Sequence, residues 1–189
     1  MNSAIIIGGG LHGLATALHL ARLPGWQVTV LERRHVGRHS SGINAGGVRR
    51  LGRDFAEIGL SMVAAEMWAG MAKLVGDDGG FRPTGQVKLA ESAADMAALE
   101  ARHDAMRARG WTHEVLLDAG ETRRLLPAMA AHIKGALVVH DDGSANPMRI
   151  VMAFRRAVLE AGARIIEGIA VTGITPGLVV VETDQGPMR

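Results

Sequence analysis

Hydrophobic residues near the start of the chain change their spacing twice, which predicts a strand, a helix and a second strand. Residues 4–7 form a β-branched run that is typical of a strand. Between 14 and 23 the apolar residues recur at helical spacing, and a proline and a glycine follow. A second apolar run covers 27–31 and stops at Glu32. This order predicts a βαβ unit and therefore an α/β fold.

Farther along the chain the periodicity predicts a mixture of helices and strands. Residues 40–54, which read SSGINAGGVRRLGRD, match neither period and hold four glycines and three arginines. The predicted N-caps of the helices are Asp54, Asp118 and Asn146. Helices are predicted over 55–71 and 93–109, and two further helices are predicted after Asp118 and Asn146. Strands are predicted over 81–90, 134–140, 164–167 and 178–183.

A glycine pattern occupies the turn between the first strand and the first helix. The sequence GGGLHG fits G-x-G-x-x-G, the dinucleotide-binding fingerprint. Gly8 would permit the tight turn, Gly10 would let the backbone approach a pyrophosphate, and Gly13 would allow close packing of helix on strand. The first N–H groups of the helix, around Leu11 and His12, would face the phosphates unpaired.

Glu32 ends the second strand about 20 residues after the last fingerprint glycine, where an acid accepts hydrogen bonds from the adenosine ribose. Such an acid suits an unphosphorylated ribose, which both NAD and FAD have. Arg33 and Arg34 follow it and would suit a 2′-phosphate, but the acid argues against one. The fingerprint alone therefore leaves NAD and FAD open.

The stretch after Glu32 favours FAD. With the fingerprint, it resembles the FAD-dependent amine and amino-acid oxidoreductases of the D-amino-acid oxidase superfamily, of the sarcosine oxidase β-subunit, glycine oxidase and dimethylglycine dehydrogenase type. The residues that carry the resemblance are Gly8, Gly10, Gly13, Glu32, Arg33, Gly37, Ser41, Gly42, Asn44, Gly46 and Gly47.

The resemblance implies that this loop runs along the FAD pyrophosphate and under the isoalloxazine ring. Ser40 and Ser41 would donate hydrogen bonds to phosphate. The residues implied near the flavin are Gly46, Gly47 and Val48. Arg49 would be the catalytic residue, which stabilises negative charge at flavin N1/C2=O or holds a substrate carboxylate. The alternative for the whole stretch is a flexible surface loop, which glycine and serine also favour.

Two further positions follow from the resemblance. Some relatives carry a histidine near position 44 that bonds covalently to the flavin, whereas this chain has Asn44 and no cysteine for a thioether. FAD is therefore expected to be non-covalent; His39 is nearby, but it is more simply an exposed loop residue. Val171 occupies the place where the family uses a backbone group to contact the adenine.

The implied architecture is a Rossmann-like FAD-binding domain with an inserted α+β substrate domain and with its C-terminal part missing. The expected boundaries are 1–75 and 141–189 for the discontinuous, incomplete FAD-binding domain, and 76–140 for part of the substrate domain. The resemblance covers only about the first half of a family member. A fragment, a truncated gene product and one part of a split enzyme remain possible origins.

The resemblance also implies the reaction, which is oxidation of the C–N bond of an amine or amino acid. Hydride would pass from the substrate to flavin N5, the imine would hydrolyse, and oxygen or an electron-acceptor protein would reoxidise the flavin. An inert FAD- or nucleotide-binding fragment and one subunit of a heteromeric amino-acid dehydrogenase remain open. An NAD-dependent dehydrogenase is more distant.

Composition narrows the remaining classes. The 189 residues are 48% hydrophobic and 21% charged with a net charge of +2, so we expect a globular protein without a nucleic-acid partner. The eight histidines are scattered and cysteine is absent, so no metal site is expected. The apolar N-terminal stretch is broken by glycines, so no transmembrane segment is expected, and a cytoplasmic location is the default.

Overall fold

The computed structural model describes residues 2–175 and 180–188. The helices are α1 (Leu11–Ala21), α2 (Ser40–Ile43), α3 (Ile58–Ala69), α4 (Met71–Val75), α5 (Ala93–Ala108), α6 (Ala119–Leu125) and α7 (Pro147–Glu160), with a 3₁₀ turn at Phe55–Glu57. The strands are β1 (Asn2–Ile7), β2 (Trp26–Glu32), β3 (Gly47–Val48), β4 (Gln86–Ala90), β5 (Val115–Asp118), β6 (Gly135–Val139), β7 (Gly143–Ser144), β8 (Arg164–Glu167), β9 (Val171–Ile174), β10 (Val181–Thr183) and β11 (Gly186–Met188).

The first of two compact units is a parallel α/β layer. It comprises Met1–Gly46, Ala69–Gly80 and Ala145–Arg189. Its sheet has the order β1-β2-β8, with both neighbouring pairs parallel. Helices α1 and α7 pack against each other in this unit, and α7 buries Val151 and Val158 completely. Strands β9, β10 and β11 form a separate antiparallel meander.

The second unit is built on an antiparallel sheet. It comprises Gly47–Trp68 and Phe81–Ser144. In its sheet β6 lies between β4 and β5, and all five residues of β6 are buried. Helix α5 packs on this sheet and contributes Leu99 to a core with Leu51 and Leu137.

Both units bear out the expected fold class, a Rossmann-like layer combined with an α+β part. The expected domain boundaries, 1–75 and 141–189 for the incomplete FAD-binding domain and 76–140 for part of the substrate domain, stay a prediction. Within this chain, the segment from Gly47 to Trp68 belongs to the second compact unit.

The predicted βαβ elements and helix caps are confirmed. Asp54 accepts a hydrogen bond from the Ala56 N–H, although the element it caps is a 3₁₀ turn. Asp118 forms a capping box with Glu121. Asn146 caps α7, with proline at the first helical position.

Several predicted boundaries are wrong for local reasons. Helix α1 begins at Leu11 rather than at residue 14, because the helix includes the last fingerprint glycine. The strand predicted over 81–90 shrinks to β4, since Gly85 has φ +81°. The helix predicted over 55–71 divides into the 3₁₀ turn, α3 and α4. Of the strand predicted over 178–183, Leu178 and Val179 lie outside the described residues, whereas β10 covers its last three positions.

Candidate functional site in the first unit

The fingerprint turn is closed by direct packing of α1 on the backbone of Gly8. A Cβ added to Gly13 would lie 2.0 Å from the Gly8 carbonyl oxygen, so only glycine permits this approach. Gly8 itself has φ +104°, a conformation that L side chains rarely adopt. Its N–H donates to the Leu31 carbonyl at 2.8 Å. The turn thus has the geometry for which the fingerprint selects glycine.

The middle glycine of GGG has a packing reason that the fingerprint does not specify. A Cβ on Gly9 would lie 2.9 Å from Val36 Cγ2 and 3.1 Å from Glu32 Cβ. The Gly9 carbonyl also accepts a hydrogen bond from the Gly37 N–H at 3.1 Å. Gly9 therefore holds the segment after β2 against the turn.

The N-terminus of α1 is joined to the glycine-rich loop through Ser41. The Ser41 Oγ accepts a hydrogen bond from the Leu11 N–H at 3.0 Å. Gly10 is the N-cap residue and makes no side-chain cap, and a Cβ there would lie 3.0 Å from the same hydroxyl. The prediction that the Leu11 N–H is unpaired is therefore wrong, while His12 lies exposed in the first turn.

Glu32 is buried at the end of β2 and organises the backbone on two sides. Its Oε2 accepts from the Gly9 N–H at 2.8 Å, and its Oε1 accepts from the Arg34 N–H at 2.9 Å. A carboxylate offers about four lone-pair positions, so these two bonds leave room for further donors. The following Arg33 is exposed, with its Nη2 3.5 Å from Nε2 of the exposed His39.

The stretch from Ser40 to Gly46 contains a short helix whose end is tied by hydrogen bonds. Ser40 begins the one-turn helix α2, and Asn44 ends it as C-cap. The Asn44 amide donates to the carbonyls of Ser40 at 2.8 Å and Ser41 at 3.2 Å. Its Oδ1 accepts from the Gly46 N–H at 2.8 Å. Asn44 thereby satisfies carbonyls that the helix end would leave without a partner.

Gly46 is also held in place by the backbone of Ala145, which belongs to the last segment of the first unit. A Cβ at this position would lie 2.1 Å from the carbonyl oxygen of Ala145. In return, the Gly46 carbonyl accepts from the Ala145 N–H at 2.8 Å. The glycine is required by this backbone contact.

The segment that leads to Val171 runs beside the end of β2. The Ile169 N–H donates to the Glu32 carbonyl at 3.1 Å, and the Gly168 N–H donates to the Arg34 carbonyl at 3.2 Å. Val171 then begins β9 and is half-buried. The structure therefore brings Glu32, the candidate for binding the ribose, and the segment that precedes Val171 to the same edge of the sheet.

An open cavity of about 490 Å³ lies at the same edge. Its lining residues are Arg34, His35, Arg38, Glu167 and Gly168. Glu32 and Glu167 are paired in register at the carboxyl ends of β2 and β8. In open α/β sheets, ligands bind outside the carboxyl ends of the strands.

Three predicted site residues belong to the second unit. Gly47 and Val48 form β3, which pairs antiparallel with β7. Arg49 follows with an exposed side chain, and its carbonyl accepts from Nε of Arg53 at 3.2 Å. Arg53 also lies 3.6 Å from the Glu57 carboxylate. The structure thus leaves Arg49 at the surface of this unit.

Arg50 has a structural role that the sequence reasoning missed. It is buried, and its Nε donates to Asp142 Oδ1 at 3.1 Å, while its Nη2 contacts Asp141. Asp142 is also buried, and its Oδ2 accepts from the N–H groups of Arg50 and Leu51 at 2.8 Å each. Asp142 thus fixes the backbone just after Arg49. The aspartate-glycine pair at 142–143 was the available signal in the sequence.

The half-buried imidazole of His113 lies near this ion pair. Both ring nitrogens of His113 are buried and have no hydrogen-bond partner among the described residues. Burial lowers the pKa of His113 below 6.5, and the positive charge of Arg50 lowers it further. Both effects favour the neutral form of His113, against the opposing influence of Glu114, Asp142 and Asp141.

Within residues 2–175 and 180–188, no group of three or more His, Asp or Glu side chains is arranged to hold a metal ion. Over the same part of the chain, none of the helices has both the length and the apolar character needed to cross a membrane.

The first unit has the features that define a dinucleotide-binding α/β protein. These are a parallel sheet with a glycine fingerprint, a buried acid at the end of β2 and a carboxyl edge that a ligand can reach. The sequence model of the FAD dependent oxidoreductase (DAO) family matches residues 3–188. The chain therefore belongs to this family, and the expectation of FAD as cofactor is confirmed at the level of the family.

Curated relatives agree with the family. The sarcosine oxidase subunit beta of Rhizobium meliloti (strain 1021) is 31% identical over 196 residues, which cover 96% of this chain and 46% of that protein. The gamma-glutamylputrescine oxidoreductase of Escherichia coli (strain K12) is 33% identical over 198 residues, which cover 96% of this chain and 45% of that protein. The chain thus spans about half the length of these relatives.

Solved structures support the fold. The L-amino acid deaminase from Proteus myxofaciens, in complex with anthranilate, superposes with a TM-score of 0.87 at 24% identity, over 100% of this chain and 43% of that one. Glycine oxidase from Geobacillus kaustophilus gives a TM-score of 0.86 at 24% identity, over 98% of this chain and 52% of that one. At this identity the likeness concerns the fold alone.

Proposed function

We propose that this chain forms the FAD-binding part of an oxidoreductase that oxidises the C–N bond of an amine or amino acid. The observation that carries the proposal is the closed fingerprint turn, in which Gly13 packs on the Gly8 carbonyl and Glu32 holds the Gly9 N–H. Family membership supports FAD as the dinucleotide. The names of the curated relatives support an amine or amino acid as the substrate class.

On this proposal, groups of the first unit would hold the dinucleotide. The N-terminus of α1 would face the pyrophosphate, because Gly10 supplies no side chain there and the first turn holds no acid. The Ser41 hydroxyl already accepts a hydrogen bond from Leu11, so its hydrogen remains available for a phosphate oxygen. Glu32 keeps lone pairs for ribose hydroxyls, and the backbone at Val171 would meet the adenine.

Bound FAD would supply the two-electron acceptor for the substrate, which the protein itself lacks. In the proposed reaction the substrate would lose a hydride from carbon and a proton from nitrogen, and water would hydrolyse the resulting imine to a carbonyl compound and an amine. Oxygen or an electron-acceptor protein would take up the two electrons. Arg49 is proposed to hold a substrate carboxylate or to stabilise negative charge, since its side chain is exposed.

Non-covalent attachment of FAD follows from the chemistry of position 44. The Asn44 side chain is an amide, which is not a nucleophile, and its nitrogen donates to two carbonyls. The chain also has no cysteine to form a thioether. We therefore expect acid precipitation to release all flavin into the supernatant. Flavin that stays with the precipitated protein would contradict this part of the proposal.

A second candidate function rests on the length of the match. Because the chain spans about half of its relatives, it would bind FAD or ADP without turnover, or act as one subunit of a heteromeric dehydrogenase. The relative from Rhizobium meliloti is itself named as a subunit. A partner polypeptide would then complete the substrate site.

One experiment separates these functions. The purified chain is titrated with FAD and followed by flavin absorbance near ~450 nm, and amino acids and N-methyl amines are then added without oxygen. Bleaching of bound flavin would support the oxidoreductase, whereas binding without bleaching would favour the second candidate. A chain that binds neither FAD nor ADP would overturn both. Gly13→Ala serves as the matched variant with a blocked fingerprint turn.

A further inference from the structure

The open cavity at the carboxyl edge of the first sheet is lined by charged and polar groups. Its volume is about 490 Å³, and its lining residues are Arg34, His35, Arg38, Glu167 and Gly168. Pockets for cofactors and drug-sized ligands are lined mostly by apolar and aromatic side chains. This cavity suits a small, charged ligand instead, and we refer to it as the basic cavity.

The guanidinium groups of Arg34 and Arg38 carry unused hydrogen-bond donors. Over residues 2–175 and 180–188, neither group forms a hydrogen bond, an ion pair or a ring contact with another residue. The adjacent Arg33 differs, because its Nη2 lies 3.5 Å from Nε2 of His39. Two complete sets of N–H donors are therefore available at the basic cavity.

Glu167 is the acid of the lining, and it is already engaged. Its Oε1 accepts a hydrogen bond from the Val36 N–H at 2.8 Å, and its Oε2 lies 3.8 Å from Nη2 of Arg155. The Glu167 carboxylate thus has a cationic partner outside the lining. The charge of the two lining arginines is not neutralised by it, so the basic cavity attracts an anion.

The backbone that carries the two arginines is held on both sides of the cavity. The Arg34 N–H donates to Glu32 Oε1 at 2.9 Å, and the Arg34 carbonyl accepts from the Gly168 N–H at 3.2 Å. The Arg38 N–H donates to the His35 carbonyl at 3.1 Å and closes a turn. Binding of an anion would therefore order side chains alone, which limits its entropic cost.

Two guanidinium groups favour phosphate over carboxylate as the anion. A guanidinium donates two parallel N–H groups to a pair of oxygens. A carboxylate has one such pair, which a single arginine saturates. A terminal phosphate group has three acceptor oxygens and a charge of about −2, so it can use both arginines.

We propose that the basic cavity binds the terminal phosphate group of a small anion through Arg34 and Arg38. The site is separate from the proposed FAD site, because none of its lining residues is among those assigned to the cofactor. Glu167 keeps lone pairs beside its bond to Val36, which would accept a hydroxyl of a phosphate ester. The inference goes beyond the proposed function and does not depend on FAD binding.

Calorimetric titration of the chain with inorganic phosphate and, separately, with glycerol 3-phosphate tests the proposal. We expect saturable binding at one site per chain. The double variant Arg34→Gln/Arg38→Gln should bind at least about tenfold more weakly, because both forks of donors are lost. The matched control, Arg123→Gln/Arg124→Gln, removes the same charge from two exposed arginines of α6 and should stay within about twofold of the wild type.

A charge-conserving variant separates a built site from general attraction of anions. Arg34→Lys/Arg38→Lys keeps both positive charges but loses the planar forks, so we expect binding to weaken at least about threefold. Wild-type affinity in this variant would show that net charge alone acts, and it would overturn the proposal. Urea unfolding of every variant provides the control for folding, and its midpoint should not change because all four substituted arginines are exposed.

The remaining outcomes are also decisive. Absence of saturable binding for both phosphates up to about 10 mM would overturn the proposal. Binding that saturating FAD abolishes would assign the anion to the fingerprint turn and overturn it as well. Tighter binding of glycerol 3-phosphate than of inorganic phosphate would identify a phosphate ester as the ligand, and the reverse order would identify free phosphate. A chain that binds phosphate through Arg34 and Arg38 but takes up no FAD would contradict the proposed function and support this inference.

Discussion

Substitution of Gly13 by alanine tests whether the fingerprint turn is built for close approach. The added Cβ would lie 2.0 Å from the Gly8 carbonyl oxygen and 3.4 Å from Ile6 Cγ2. Real Cβ atoms essentially never approach a heavy atom within 3.0 Å, so helix and turn must separate by about 1 Å. The obstacle is backbone, which has no rotamer by which to move aside.

The magnitude follows from two opposing effects. Alanine inside a helix is favoured over glycine by about 0.5–1 kcal/mol, and Gly13 lies inside α1. Overpacking a tight contact costs about 1–3 kcal/mol, and a backbone obstacle belongs at the upper end. We therefore expect Gly13→Ala to lower the free energy of unfolding by about 2 kcal/mol. We also expect FAD affinity to fall at least about tenfold, which corresponds to about 1.4 kcal/mol.

Gly59→Ala is the matched control for this variant. Gly59 also lies inside a helix, α3, and a Cβ there would meet nothing within 4 Å. The same chemical change should raise the free energy of unfolding by about 0.5–1 kcal/mol and leave FAD affinity unchanged. Urea unfolding and FAD titration of both variants provide the comparison. If Gly13→Ala behaves like Gly59→Ala in both assays, the close approach of α1 to Gly8 does not exist.

Three further predictions concern polar groups. Asp142→Asn should lower the free energy of unfolding in urea by about 2–3 kcal/mol, because buried Arg50 then keeps only the exposed Asp141 as a charged partner. Asp141→Asn, at a side chain that is 73% exposed, should cost less than about 1 kcal/mol, and equal costs would contradict the assignment of Asp142 as the structural partner. Asn44→Ala should weaken FAD binding about tenfold, because three hydrogen bonds that shape α2 are lost; unchanged affinity in a titration would separate this cap from the cofactor site. The pKa of His113 is lower in the folded state than in the unfolded state, so its contribution to stability is fully present above pH 6.5 and is lost as the pH falls below 6.5 towards the lower pKa of the folded state. His113→Phe should therefore reduce the change in the free energy of unfolding between pH 8 and pH 5.5. An unchanged pH dependence would exclude His113 as its source.

The parts of the fold that the sequence predicted are those set by local chemistry. The βαβ unit follows from spacing and glycines within the first 32 residues, and the N-caps at Asp118 and Asn146 follow from residues at most three positions away. Helix α2 was not predictable in the same way. Its four residues include a glycine, and it is closed by Asn44, whose side-chain hydrogen bonds no periodicity encodes.

Contacts between distant residues explain the rest of what the sequence did not reveal. Asp142 lies 92 positions from Arg50, so the buried ion pair between them could be recognised only from the fold. The need for glycine at position 9, which the fingerprint does not specify, also comes from a contact between distant residues. Val36 occupies the space that a side chain at Gly9 would need. Arg49, by contrast, is placed only by resemblance and stays a prediction.

The candidate nucleotide site is organised by side chains that the motif assigns to the ligand. Glu32 holds the backbone of Gly9 and Arg34, Ser41 holds Leu11, and Asn44 closes the turn that carries Ser41. A dinucleotide would therefore add hydrogen bonds to groups that are already oriented, so little conformational entropy would be lost on binding. It also follows that Glu32→Gln should destabilise the turn even without FAD, since an amide has one acceptor oxygen where the carboxylate has two. A Glu32→Gln variant with wild-type stability in the absence of FAD would show that Glu32 serves the ligand alone.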